Sequence, residues 1–366
     1  MRCSEIAVIG GGIVGCTTAL ELAKEGHNIT IVDPSFGKKS SLSSNLNGTQ
    51  ASLGVLMGNI YKKSKGRSFE LRRRSMLLWP KIIQEICTEK DDLKIECPLI
   101  RLASSKKEKE YIEELIKNKK SFKIKHIDKI STEYFSKVLN MNILGGLISY
   151  QDGRINPLKL MHLLKNKLHK YNVSLISRKV IALQRFSESN KLKWEVFLSD
   201  ENKHVYDIVI ICAALESQKL LAPLGHNVDM EPVVGQALRL RFKEDLNLEK
   251  WPAVLSVNGI NLIVSDNQII TIGATVETGA MGSPQNLLAM KNLATNRSNF
   301  IEKASFEKHW EGVRAKPIGK PAPILETLEP NLIINTGHYR NGLLLAPACA
   351  EWVGKEVQKL MQNNII

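Results

Sequence analysis

The chain has 366 residues, 43% of them hydrophobic and 24% charged, with a formal net charge of +14. That composition describes an ordinary soluble globular protein, long enough for two domains with ample cores. No apolar run reaches the length of a bilayer span, and the first residues run straight into a strand, which argues against a secretory signal. Cys3, Cys16, Cys87, Cys97, Cys212 and Cys349 are scattered without a CxxC pair. They read as small buried hydrophobes in a reducing, cytoplasmic setting and not as a zinc site.

Ile6-Ala7-Val8-Ile9 is an unbroken apolar run, the pattern of a strand buried on both faces of a parallel sheet. Gly10-Gly11-Gly12-Ile13-Val14-Gly15 follows, then a helical pattern through Leu20, Leu22 and Ala23, with Gly26 at a helix C′ position. Asn28 to Val32 reads as a second strand ending in Asp33-Pro34. Strand, glycine turn, helix, strand and terminal acid together form a dinucleotide-binding βαβ unit. In such a unit Gly10 permits the tight turn, Gly12 lets the backbone approach a pyrophosphate, and Gly15 brings helix and strand together. The helix start at Ile13 and Val14 offers unpaired N–H groups and partial positive charge to phosphates. Asp33 lies 33 − 15 = 18 residues past the last glycine, close to the spacing of an acid that binds ribose hydroxyls. The motif alone does not separate FAD from NAD.

The segment Lys38 to Gly58 is rich in Ser, Asn and Gly, and Ser44, Asn47, Gly48 and Gln50 suit the wall of a polar cofactor site. Arg67 to Cys87 is a helical pattern that Pro80 is expected to kink or divide. Arg72-Arg73-Arg74 fans around that helix, with at most one arginine turned inward. Between Arg101 and Lys129, Lys106, Lys107 and Lys109 mix with Glu108, Glu110, Glu113 and Glu114 at helical spacing. This reads as a solvated helix face, with a nucleic-acid footprint as the rival reading.

Asn156 and Pro157 read as N-cap and N1 of a helix whose apolar stripe is Leu158, Met161, Leu164 and Leu168. Strands are expected at Val173 to Ile176, Val180 to Leu183 and Trp194 to Leu198. Another runs from Tyr206 to Ala214, and its end at Ala213 returns to the sheet edge where a cofactor would lie. From Glu231 the pattern alternates with period two, as half-buried antiparallel strands do. A second domain is expected there, inserted into the first, with a helix over Pro284 to Lys303.

Leu332 to Asn335 is a further strand, followed by Gly337-His338-Tyr339-Arg340-Asn341-Gly342 and an apolar helix beginning near Leu343. This second glycine-framed turn points another helix N-terminus at the same ligand. A flavin gains negative charge near N1 and O2 on reduction, which a positive helix end would stabilise.

The N-terminal fingerprint, Pro232-Val233-Val234-Gly235-Gln236, Ile272-Gly273-Ala274-Thr275, Trp310-Glu311-Gly312-Val313-Arg314 and Gly337-His338-Tyr339-Arg340-Asn341-Gly342-Leu343-Leu344-Leu345-Ala346-Pro347 recur in that order. This series resembles the FAD-dependent D-amino-acid oxidase superfamily, most closely glycine oxidase of the thiamine-synthesis type. The resemblance implies an α/β chain in which a Rossmann-like FAD-binding domain carries an inserted α+β substrate domain dominated by an antiparallel sheet. The cofactor domain would comprise residues 1–75, 145–220 and 310–366, and the substrate domain residues 76–144 and 221–309.

It also implies that FAD is held by the residues singled out above together with Val180, Ala213 and the turn from Gly337 to Leu343. Arg314 would pair with the substrate carboxylate, and Arg340 would lie beside the flavin near it. The implied reaction is oxidation of the C–N bond of glycine, a D-amino acid or a small secondary amine by hydride transfer to flavin N5. Oxygen or a quinone would take the electrons, and a homo-oligomer is compatible with the chain. The sequence offers no catalytic base: His338 reads as a cofactor-loop residue and His309 as structural. Ser44 to Gln50 looks more like D-amino-acid dehydrogenases or the flavin domain of a tRNA-modifying enzyme. The rival readings are therefore a flavoenzyme acting on a carboxymethylaminomethyl group of tRNA, a flavin-binding protein without turnover, and an NAD-dependent reductase.

Overall fold

The computed structural model describes residues 3–36, 46–119, 123–188, 191–243, 251–266, 268–295 and 304–363. Its first sheet has six strands in the order Ile324–Glu329, Leu332–Thr336, Ile208–Ile211, Glu5–Ile9, Asn28–Val32 and Ser174–Ile176. All neighbours are parallel except the edge pair Ile324–Glu329 with Leu332–Thr336. The unbroken apolar runs follow from burial on both sides. Ile6, Val8, Ile208 and Ile210 enter the core beneath the helices Ile13–Lys24 and Gly342–Asn363, which pack on each other. Ala7, Ile9, Val209 and Ile211 enter the opposite core with Trp194 and Val196. Strand Glu5–Ile9 has Asn28–Val32 on one side and Ile208–Ile211 on the other, so its carboxyl end opens at a topological switch point.

The second sheet is mainly antiparallel and joins nine strands, with Met230–Phe242 paired along its length to Ala304–Pro317. Leu238, Leu240, Leu255, Leu262, Ile270 and Ile272 form a core on one face. Leu99, Leu147, Val254 and Ile263 form another on the reverse, against Leu53, Val55 and Met57. That second contact brings the Ser/Asn/Gly-rich segment between the two sheets. The expected segment boundaries cut across these elements: Gly146–Ser149 pairs within the large sheet, and Ala304–Pro317 runs through position 310 unbroken.

Several local expectations are corrected. Of the two effects expected of Pro80, a kink or a break, the break is absent: Arg67–Ile86 is one continuous helix. Packing on Gly342–Asn363 holds it together, with Trp79 fully buried and its indole N–H donating to Leu344 O at 3.3 Å. Of the three arginines, Arg72 alone is buried. Asn156 caps Pro157–Lys170 as expected, its Oδ1 accepting from the N–H groups of Leu158 and Lys159. Leu158, however, is 56% exposed, and the buried face is Leu160, Met161, Leu163, Leu164 and Leu168. The buried strand expected from Tyr206 to Ala214 is Ile208–Ile211, because Ala214 turns into the left-handed region (φ 49) ahead of a short helix. Of the helix expected over Pro284 to Lys303, Pro284–Thr295 is helical, and residues 296–303 lie outside the described residues.

One buried carboxylate ties the interposed segment to the large sheet. Asp152 accepts from the backbone N–H groups of Gly58 (2.7 Å), Asn59 (2.9 Å) and Ile60 (3.2 Å), and from the Ser149 hydroxyl (2.6 Å). Replacing it by Ala leaves three buried backbone N–H groups and the Ser149 hydroxyl without this acceptor. We expect Asp152→Ala to lose about 3 kcal/mol of unfolding free energy by urea titration, and Asp152→Asn less, since one acceptor oxygen stays.

Candidate active site

The turn after the first strand has its glycines for two different reasons. Gly10 adopts φ 113, and a Cβ there would stand 2.5 Å from Cys212 O. A Cβ on Gly12, by contrast, would meet nothing within 4 Å except Thr49 Oγ1 at 3.3 Å. Packing therefore explains Gly10, whereas at Gly12 a Cβ would crowd only the Thr49 hydroxyl at the helix start. That helix start, with its N–H donors, fits a pyrophosphate. Thr49, 9% exposed, reaches across it and accepts from the Ile13 N–H at 3.0 Å. Nothing local in the sequence singles out Thr49, because its partner lies 36 residues away and no capping pattern marks it.

Asp33 sits at the end of its strand as expected. One carboxylate oxygen accepts from the Gly11 N–H (2.6 Å) and the other from the Ser35 N–H (2.7 Å). Pro34 beside it is exposed, and Val180 and Ala213 belong to the core cluster that includes Val32. In the interposed segment, Asn47 Oδ1 accepts from the Gln50 N–H at 2.9 Å, closing a turn with Gly48 at its tip. Ser44 lies outside the described residues. The turn packs directly on the long strand of the large sheet: Trp310 Nε1 donates to Ala51 O at 3.0 Å, and Gly312 lies against Ala51.

Arg314 stands on that same strand. Its guanidinium lies flat over Gly235, where a Cβ would be 2.0 Å from Nη2, and Nη1 donates to Val234 O and Thr275 O at 3.2 Å each. Burial, and then the nearby Arg340 charge, push its pKa below the ordinary arginine value, with Tyr339 opposing. Among the described residues no carboxylate pairs with Arg314 or Arg340. Arg72 joins the group: burial and Arg340 lower its pKa against the pull of Tyr61, whose ring lies 4.0 Å under its guanidinium. Arg340 itself is exposed on the short 3-10 turn Tyr339–Asn341, which feeds the helix Gly342–Asn363 with Leu343 buried in its first turn. Gly337, at φ 65, brings this turn against Pro317 at the end of the Arg314 strand. The last motif and the large sheet thus bring Arg314, Arg340 and Arg72 into one cationic cluster.

Around the cluster, polar side chains are fixed. Gln236 Nε2 donates to Glu277 Oε1 (2.8 Å) and to Ser283 O (2.9 Å), while His309 Nε2 lies 3.1 Å from Gln236 Oε1. Burial presses the Glu277 pKa upward, but hydrogen bonds from Gln236, Thr275, Asn286 and Ser283 outweigh it and hold the value at about 2. His309 serves this structural network. His338 is 6% exposed, its Nε2 has no partner among the described residues, and burial lowers its pKa to about 3. Below pH 6.5 the unfolded chain takes a proton here that the native chain refuses until about 3. Stability contributed by the neutral imidazole is therefore present above the unfolded pKa and lost as pH falls toward the folded one. We expect His338→Gln to flatten the fall of the urea midpoint between neutral pH and pH ~5.

A family model described as FAD dependent oxidoreductase, DAO, matches residues 5–356, so the chain belongs to this family of FAD-dependent oxidoreductases. Its cofactor is FAD. Glycine oxidase of Geobacillus kaustophilus is 22% identical over 376 residues, covering 97% of this chain and 93% of the relative. Glycine oxidase of Pseudomonas putida is 31% identical over 149 residues, a match that spans 40% of each chain. The crystal structure of glycine oxidase from Bacillus cereus superimposes with a TM-score of 0.81 at 23% identity, covering 97% of this chain and 95% of that one. Among the described residues no helix is long and apolar enough to cross a membrane.

Proposed function

We propose that the chain oxidises the C–N bond of a small amino acid or N-carboxymethyl amine, holding the substrate carboxylate on Arg314. The carrying observation is a half-buried guanidinium, braced by two carbonyls, with no carboxylate partner among the described residues. Arginine suits this because its planar fork holds a carboxylate through two parallel hydrogen bonds. Arg340 and Arg72 add positive potential that draws an anionic substrate toward Arg314. FAD, when bound, would supply the acceptor for the hydride and thus for the two electrons it carries. In this reading Gly10, Gly12, Gly15 and the helix start at Ile13 and Val14 hold its pyrophosphate, Asp33 and Pro34 its ribose end, and Val180 and Ala213 its flank. The 46–54 turn and Gly337 to Leu343 enclose the flavin, with His338 as a neutral buried group behind it. The chain's own contribution is to fix the α-carbon by its carboxylate and exclude water, since among the described residues no side chain beside Arg314 is placed as a base. We take the cofactor unit to be centred on the six-stranded sheet and the substrate unit on the nine-stranded one.

The test is anaerobic bleaching of the bound flavin by glycine, sarcosine, D-alanine, D-proline and L-amino acids. Reduction by one class identifies the substrate, and reoxidation by oxygen or by a quinone separates oxidase from dehydrogenase. Flavin that no amine bleaches would end this reading.

A further inference from the structure

A second cationic site stands on the same strands as Arg314. Arg239 and Lys308 are directly opposite in the ladder, and Ala237 faces Trp310 next along the same face. The Arg239 guanidinium carbon lies 5.9 Å, and Lys308 Nζ 5.3 Å, from the centre of the Trp310 ring. Both side chains are half-buried, and Arg239 Nε is buried without a hydrogen-bond partner. The register shifts after Arg239, leaving Glu307 out of the ladder, and its carboxylate pairs with Arg241 at 3.4 Å. Among the described residues neither Arg239 nor Lys308 forms an ion pair.

Like charges set directly opposite on paired strands repel, and partial burial strengthens the repulsion. Burial, and then the Arg239 charge, push the Lys308 pKa down, with Glu307 giving only partial relief. Stacking on one indole returns only part of this. The arrangement is therefore one that an anion would complete. Its place is informative: the Arg314 guanidinium lies over Gly235, which faces Gly312, whereas this pair leans on Trp310. Two residues along a strand span about 7 Å. Ala51 is seated on Gly312, directly opposite Gly235 and the Arg314 guanidinium above it.

We propose that Arg239 and Lys308, over Trp310, bind an oxyanion, either a remote carboxylate or phosphate of the amine substrate or the same group on a free anion. The substrate-borne source rests on the reading of Arg314 given above; the site itself does not. The first experiment compares kcat/KM of the holoenzyme for N-carboxymethyl amines ending in a carboxylate, at increasing chain length, with their N-alkyl counterparts. A preference for the acidic series that falls about tenfold or more in Arg239→Met and Lys308→Met, the worth of one charged hydrogen bond, supports a substrate subsite. The second titrates inorganic phosphate into the holoenzyme calorimetrically. Binding that both variants lose, without any acidic-amine preference, supports the free-anion source, and this arm reads out even if no amine reduces the flavin. The third measures Tm without ligand: relief of repulsion in Lys308→Met should leave it unchanged or raised. Absence of both the acidic-amine preference and phosphate binding would overturn the proposal, and a lowered Tm in Lys308→Met would then mark the pair as structural.

Discussion

Arg314→Leu is expected to retain FAD in full while kcat/KM for the best amine substrate falls by on the order of 100-fold. The guanidinium loses its water to burial whether or not substrate is present, so its charge is strongest toward a carboxylate that reaches it. Removing one member of a buried, hydrogen-bonded charge pair costs about 2–5 kcal/mol, which sets the size of the effect. Flavin retention is expected because Arg314 sits on the large sheet, braced by Val234 O and Thr275 O, away from the glycine turn. Arg314→Lys should recover little, since an ammonium cannot span both oxygens in the plane that the two carbonyls set. Stopped-flow reduction separates binding from chemistry: a raised apparent Kd with a smaller change in the limiting rate is the expected pattern. Unaltered reduction kinetics in Arg314→Leu would remove it from the substrate site.

The elements around the cofactor were legible because their signals are local. A double-sided apolar strand, a glycine turn and a terminal acid occupy one continuous stretch, and the fold assembles them in place. Arg72 and Thr49 show where that legibility ends. Arg72 belongs to a run of three arginines, and only packing of its helix against the Met57 and Tyr61 segment selects which one turns inward. Thr49 reaches a helix start 36 residues before it. The helix that continues through Pro80 and the exposure of Leu158 have a related cause: tertiary contacts decide whether a helix runs on past a proline and which face it buries. The Arg239–Lys308 pairing is invisible without register, because the two residues lie on strands joined by a long excursion through the helix Pro284–Thr295.

Gly15→Ala should abolish FAD binding and destabilise the chain by at least about 3 kcal/mol, the upper range for forcing extra volume into a packed core. An added Cβ would stand 1.8 Å from Gly10 O and 3.3 Å from Val8 Cγ1. Neither obstacle is the end of a flexible side chain: one is the carbonyl of the turn itself, the other a fully buried residue of the central strand. The helix Ile13–Lys24 would have to lift from the strand, carrying its N-terminus away from the turn that Thr49 closes. Gly26→Ala is the control. It too departs from ordinary backbone, at φ 88, but nothing lies within 4 Å of its missing Cβ. Its penalty is conformational alone, about 1 kcal/mol, and FAD should stay bound. Measured side by side by thermal unfolding and by flavin absorbance, the two alanines separate close approach from backbone freedom. Equal losses in both would show that the turn depends on glycine's backbone range and not on the contact between helix and strand.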